Sequence, residues 1–229
     1  MARLKRIAAP KFWKIERKSR KYSVSPAPGP HSKEGCIPLS MLLRDYIKVS
    51  ENMKESKFIL NSSIVMVNGK VRKGHDFPVG LMDIVSVGSS FYRILPGKKG
   101  LEPREISDHS LRLCKVTGKK CIKGGKMQVN LSGGENMLIE KSQDSYKTGD
   151  VIVFDLEKGA IKKVLKLGKG SLVLITGGKN MGKLGTVESI EVIKNPLPTL
   201  VDLSLGERSV KVPKDYVFVV GEKEPFIEM

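Results

Sequence analysis

The run from Gly177 to Lys183 fits G-x-x-x-x-G-K and follows a strand-like segment. That spacing is most of a phosphate-binding P-loop, in which glycine amides and a lysine cradle nucleotide phosphates. Two features argue against nucleotide chemistry. The hydroxyl that should follow the lysine and hold magnesium is replaced by Leu184. Next come Gly185, Thr186 and Val187, which favour a strand, whereas an anion site of this kind needs a helix N-terminus. Val173 and Ile175 before the glycines, and Val187 and Ile190 after them, frame a β-hairpin instead. Its tip carries Lys179, Asn180 and Lys183 as candidate contacts to a polyanion.

Other chemistry is sparse. Cys36, Cys114 and Cys121 are odd in number and lack C-x-x-C spacing, so they read as reduced thiols of a cytosolic protein and not as a disulfide framework or zinc site. His31, His75 and His109 are scattered, with none at ligand spacing from a cysteine or another histidine. There is no G-x-S-x-G and no H-E-x-x-H. Asp155 and Glu157 share a strand face, but they precede Lys158-Gly159 and read as the end of a hairpin. The expectation is a protein with no catalytic residues, no metal, no cofactor and no small-molecule substrate. No apolar run approaches a membrane span, and no secretory signal opens the chain.

The strong chemical signal is charge. A net +17 over 229 residues points to a polyanionic partner, and nucleic acid is the commonest. The excess is uneven. Residues 1–22 hold Arg3, Lys5, Arg6, Lys11, Lys14, Arg17, Lys18, Arg20 and Lys21 against one acid, Glu16. Phe12, Trp13 and Tyr22 are interleaved with these cations, and no helix or strand period persists. Such an arm suits RNA, with lysines on phosphates and arginines or Trp13 stacked on bases. Trp13 equally suits a hydrophobic plug that anchors the arm. Ser25-Pro-Ala-Pro-Gly-Pro30 then stiffens the chain toward polyproline geometry.

Elements that could position further cations follow. Pro38 opens a helix with Leu39, Leu42, Leu43, Tyr46 and Ile47 on one face and Arg44 and Lys48 opposite. Ser50 or Asn52 caps a second helix to about Asn61, with Met53, Ile59 and Leu60 inward and Lys54 and Lys57 outward. Asn68-Gly69 between β-prone residues marks a hairpin that presents Lys70, Arg72 and Lys73. A strand over 83–87 completes a compact unit of two helices and a short sheet. From Ser89 onward the pattern is short strands, at 91–95, 111–116, 127–131, 137–139, 151–156, 161–167, 171–176, 186–193, 200–203, 209–212 and 216–220. Their turn-rich spacing predicts small barrels or sandwiches.

Leu4-Lys-Arg-Ile-Ala-Ala-Pro-Lys-Phe-Trp13, Pro38-Leu39…Leu42-Leu43-Arg44-Asp45, Val67-Asn-Gly-Lys-Val-Arg72, Asp150-Val-Ile-Val-Phe-Asp-Leu156 and residues 171–187 occur in one order. In that order the chain resembles the archaeal and eukaryotic-type small-subunit ribosomal protein S-four, the S-four-e family, over nearly its whole length. The resemblance implies an α+β, multi-domain protein. Its parts would be a basic N-terminal arm and linker (1–36), an α-L RNA-binding domain (37–95), a central β domain (96–168) and a KOW, SH3-like β barrel with the C-terminal tail (169–229). It implies a structural constituent of the small ribosomal subunit. Such a protein would bind small-subunit ribosomal RNA and neighbouring small-subunit ribosomal proteins, monomeric within a cytoplasmic ribosome and away from any membrane. The chain ends at Met229, where eukaryotic members run on into a basic tail, and this favours the archaeal form. An RNA-modifying enzyme carrying an α-L module and a KOW-type transcription factor remain as alternatives. The KOW tip could face RNA or protein.

Overall fold

The computed structural model describes residues 4–98, 100–122, 124–140, 145–156, 158–191, 198–206 and 208–228. The chain divides into two units, Met1–His109 and Ser110–Met229. Strands dominate both, and among the described residues the helices, apart from short 3-10 turns, are confined to residues 39–61.

In the first unit, β1 (Leu4–Lys5) pairs antiparallel with β2 (Tyr22–Ser23). β3 (Cys36–Pro38) pairs antiparallel with the later segment Pro78–Gly80. Pro38 then opens α1 (Leu39–Met41), which widens into a π-helix over Leu42–Ile47. The first helical amides are not left bare: Leu39 and Ser40 donate to the carbonyls of Phe77 and His75 at 2.9 and 3.0 Å. Lys48 ends the π-helix in a left-handed conformation, φ 65°. Leu39, Leu42 and Leu43 are fully buried as the spacing predicts, while Tyr46 and Ile47 are half-buried. α2 (Met53–Asn61) is capped by Asn52, whose side-chain oxygen accepts from the amides of Lys54 and Glu55 at 3.0 and 3.2 Å. Leu60 is buried, Met53 and Ile59 only half so, and the helix also buries Ser56, whose hydroxyl bonds Ser50 at 2.7 Å.

β4 (Val65–Val67) and β5 (Lys70–Val71) flank Asn68 and Gly69 at φ 52° and 75°, the two positive values a two-residue I′ turn requires. β6 (Pro78–Gly80), β7 (Ile84–Val87), β8 (Ser90–Gly97) and β9 (Gly100–Glu105) complete the unit, with a sheet ordered β5-β4-β7-β8-β9. β9 was not expected, because Pro103 lies inside it. As an edge strand it tolerates the missing amide. Asp83 is fully buried just before β7. Its carboxylate accepts from His31 Nε2 at 2.8 Å, the Gly80 amide at 2.9 Å and Asn68 Nδ2 at 2.9 Å. That network ties the stiff linker to the hairpin.

The second unit opens with β10 (Leu111–Cys121), β11 (Lys126–Leu131), β12 (Asn136–Glu140), β13 (Val151–Asp155) and β14 (Ala160–Leu165). They form an antiparallel sheet ordered β12-β11-β10-β13-β14. A register shift between Val116 and Gly118 lets the long β10 pair with β13 through its first half and with β11 through its second. Cys114, Val116, Val129, Leu131 and Ile152 form its core. β15 (Leu172–Ile175), β16 (Leu184–Glu191), β17 (Leu200–Leu205), β18 (Arg208–Pro213) and β19 (Val217–Gly221) form a second sheet, ordered β18-β17-β16-β15-β19. The two sheets are joined at Lys115. Its Nζ donates to the carbonyls of Lys214, Asp215 and Val217 at 3.1, 2.9 and 2.8 Å.

Candidate nucleic-acid interface

The cationic arm does not hang free. Leu4, Ala9 and Trp13 are buried, and the indole Nε1 donates to the Cys36 carbonyl at 2.8 Å. An indole only 3% exposed offers no face to a base, so in this conformation Trp13 is the plug and not a stacking platform. Two of the arm's arginines also turn inward. Arg6 is 9% exposed and donates to the Glu16 carbonyl at 2.9 Å and to the Ser19 hydroxyl. Arg17 donates to the Ala9 and Pro10 carbonyls at 3.0 and 2.9 Å, with longer contacts to those of Arg6 and Ile7. Both guanidiniums fold the arm on itself, and neither presents an open fork to solvent.

The remaining arm cations point outward: Lys5, Lys11, Lys14, Lys18, Arg20 and Lys21 are all exposed. Arg3 lies outside the described residues. Lys14 pairs with Glu102 at 2.8 Å, and its backbone amide donates to the Tyr46 hydroxyl at 3.0 Å. Burial pushes the Tyr46 phenol up, with the Lys14 amide opposing.

A cleft of about 700 Å³ opens between the arm and the π-helix, with Arg6, Lys14, Arg20, Arg44 and Lys48 among its lining residues. Glu16, Asp45 and Glu51 also line it. A second hollow, about 350 Å³, shares Arg6, Arg20 and Arg44 and adds Tyr22 and His75. Arg44 holds Asp45 through two bonds of 2.7 Å, and this pairing raises its guanidinium pKa further. Arg6 Nε is buried with no hydrogen-bond partner among the described residues. Three exposed cations, Lys14, Arg20 and Lys48, stand on the walls of the cleft, and the flat groups of Tyr22 and His75 lie in the adjoining hollow, an arrangement that can hold an extended anion.

Elsewhere in this unit Lys54 and Lys57 are exposed on α2, and Lys70 and Lys73 on and just beyond the β4–β5 hairpin. Arg72 is half-buried, its guanidinium 4.7 Å from the centre of the Phe77 ring. In the second unit the expected hairpin is present. β15 and β16 run antiparallel with Leu174 opposite Leu184, and no helix follows Lys183. Lys179 and Lys183 are exposed at the tip, and Lys183 Nζ donates to Asn180 Oδ1 at 3.0 Å.

The sequence pattern brought the arm, helix and hairpin cations forward, with Tyr22 and Glu16 among them, but not the placing of His75, Asp45 and Glu51 beside them. Their proximity depends on pairing across tens of residues, which leaves no local spacing. Another such pair is Phe91 and His109, stacked at 3.7 Å and 6°. Among the described residues, no group of three or more His, Cys, Asp or Glu could hold a metal ion. Nor is any helix among those residues long and apolar enough to cross a membrane.

Residues 89–161 match the model of Ribosomal family S4e, and residues 2–34 match the RS4NT (NUC023) domain. The small ribosomal subunit protein eS4 of Archaeoglobus fulgidus is 41% identical over 223 residues, covering 96% of this chain and 93% of that protein. This chain belongs to the S4e family of ribosomal proteins. The eS4 protein of Methanothermobacter thermautotrophicus is 38% identical over 232 residues, covering 99% of the S4e chain described here and 95% of its own. The crystal structure of the 30S ribosomal protein S4e from Thermoplasma acidophilum superposes with a TM-score of 0.74 at 27% identity. That match spans 84% of this S4e chain and 99% of the other. The arm that turns inward on Arg6, Trp13 and Arg17 falls within the RS4NT match.

Proposed function

We propose that this S4e protein is a structural constituent of the small ribosomal subunit, where it binds small-subunit ribosomal RNA and neighbouring proteins and supports assembly of the particle. Relatives of nearly the same length carry the name small ribosomal subunit protein eS4. No reaction is assigned to it, and its place in the cell is that of the ribosome. The α-L role belongs to the helices and the β5-β4-β7-β8-β9 sheet of the first unit, whose last two strands run past the expected boundary at residue 95, the central β role to β10–β14, and the KOW role to β15–β19.

The observation that carries the RNA reading is the cleft shared by arm and π-helix, lined by outward cations on a folded scaffold. A rigid cationic groove suits the phosphates of an RNA that is already folded, recognised by shape. Each phosphate neutralised adds roughly 0.7 to 0.9 to the salt slope of binding. Arg20→Gln and Lys48→Gln should therefore each weaken binding to small-subunit ribosomal RNA across sequences and lower the slope by about one. Binding measured from low to moderate salt reads this directly. A slope that both variants leave unchanged overturns the cleft as a phosphate groove.

A further inference from the structure

The hollow of about 350 Å³ beside the arm carries a mix of side chains that a phosphate groove alone does not need. Arg6, Arg20 and Arg44 line it, and with them Tyr22, His75 and Asp76. Two of the three guanidiniums are already engaged. Arg44 holds Asp45, and Arg6 is turned into the arm. Arg20 is exposed, and among the described residues its guanidinium has no hydrogen-bond or ion-pair partner. The same holds for the Asp76 carboxylate and the His75 ring, both on half-buried residues. One unengaged cation, one unengaged carboxylate and two flat rings therefore share one hollow.

The main chain holds these groups ready. The Asp76 carbonyl accepts from the Ala27 amide at 2.8 Å and the His75 carbonyl from the Ser40 amide at 3.0 Å, so both residues are pinned through their backbones. Tyr22, 41% exposed, is fixed opposite Lys5 by the pairing of β2 with β1. A volume near 350 Å³ is at the small end of the roughly 300–1,000 Å³ range of small-ligand pockets, room for one nucleotide and not for a stacked run. In a site for phosphates alone Asp76 would work against binding, because like charges repel. It favours binding where it meets donors, since an ionised carboxylate accepts hydrogen bonds through both oxygens and donates none. Among the RNA bases guanine alone sets two donors, N1–H and the N2 amino group, side by side on its Watson–Crick edge. Single-stranded RNA is read in this manner, by bases splayed onto flat side chains and bonded along that edge.

We infer that this hollow seats one unstacked guanosine nucleotide of the bound RNA. The phosphate lies against Arg20, the base against the Tyr22 and His75 rings, and its N1–H and N2 amino group donate to Asp76. This role rests on the RNA reading of the cleft and adds base selection to its phosphate groove. The test titrates the full chain with GMP, AMP, CMP and UMP while the histidine ring protons are followed by NMR, with His75→Asn assigning the signal. GMP should shift the His75 signal and bind about tenfold or more tighter than each of the others. Asp76→Asn keeps the side-chain shape and the backbone bond to Ala27, and should erase that preference at an unchanged thermal midpoint. It should also weaken binding to small-subunit ribosomal RNA by about tenfold with the salt slope unchanged, since no phosphate contact is lost. A carboxylate that merely repels phosphates predicts the opposite, tighter RNA binding in Asp76→Asn, and that result overturns the inference. Unchanged RNA affinity overturns it too, as does a His75 signal that no nucleotide moves or that all four move with equal affinity. Lys48→Gln keeps the two readings apart, because Lys48 lines the cleft and not the hollow. An unchanged salt slope in that variant tells against the groove and leaves the GMP preference to decide the hollow.

Discussion

Lys115 shows how much a single side chain carries. Desolvation works against its ammonium and pushes its pKa down to about 8, with Asp215 pulling it up and Lys214 pressing it down. Three backbone carbonyls hold it in place nonetheless. Lys115→Met leaves those carbonyls without their donor and should cost about 2–4 kcal/mol, read as a lower thermal midpoint. The sign of the pH effect follows from the direction of the shift. Between about 8 and the ordinary lysine value of 10.5, the unfolded chain keeps a proton that the folded chain has lost. This group therefore makes stability rise with pH across that window, and the rise should be absent in Lys115→Met. Trp13 gives a second residue-scale test, because it is the only tryptophan in the chain. Its emission should be blue-shifted in the free protein and stay so when RNA is added, and Trp13→Ala should cost roughly 3–5 kcal/mol. A base-stacking indole would instead be quenched by RNA. Residue type alone could not decide between these roles, because a flat apolar ring with one donor fits a core as well as a base.

At the scale of elements, the readable parts were those with a local period or a turn of fixed chemistry. Asn68-Gly69 announced its hairpin through the positive φ it needs. The β15–β16 hairpin was readable because Leu184 and the β-branched residues after it cannot start a helix. β9 was hidden by Pro103, whose acceptability depends on lying at an edge, a fact of topology and not of sequence. The π-helix was hidden too: its i→i+5 bonding leaves no mark in residue type, so Leu39 to Ile47 looked like an ordinary helix, and the wider winding leaves Tyr46 and Ile47 only half-buried. The tip of the β15–β16 hairpin belongs to this scale as well. Lys179→Gln with Lys183→Gln should leave the thermal midpoint unchanged. If the tip meets RNA, the salt slope of binding falls by about two. An unchanged slope assigns the tip to a protein neighbour.

For the whole molecule, net charge named the class of partner but not the architecture that presents it. The sequence showed no helix or strand period in the arm and left Trp13 two roles, whereas the structure shows an arm built into the first unit, with Arg6, Arg17 and Trp13 spent on its own fold. Deleting residues 1–22 should therefore do more than remove charge. It takes away β1, β2 in part, and the Trp13 plug, and should lower the thermal midpoint of the first unit before any RNA is present. A truncated protein with unaltered melting would show that the arm contributes nothing to that core. Neutralising outward cations one at a time is the cleaner probe of binding, because it leaves Arg6, Trp13 and Arg17 in place.

The buried contact between His31 and Asp83 joins residues 52 positions apart, and the chain is made from its N-terminus. During synthesis His31 leaves the exit tunnel long before Asp83 has been added. For that interval the linker lacks its tie to Asp83, and the outward cations of the arm travel beside the RNA of the very machine that is making them. Docking of the arm is thus timed by translation: it waits on Cys36 for the indole and on Asp83 for the linker. A nascent chain stalled before residue 83 should keep its arm open to protease, and one released beyond it should not.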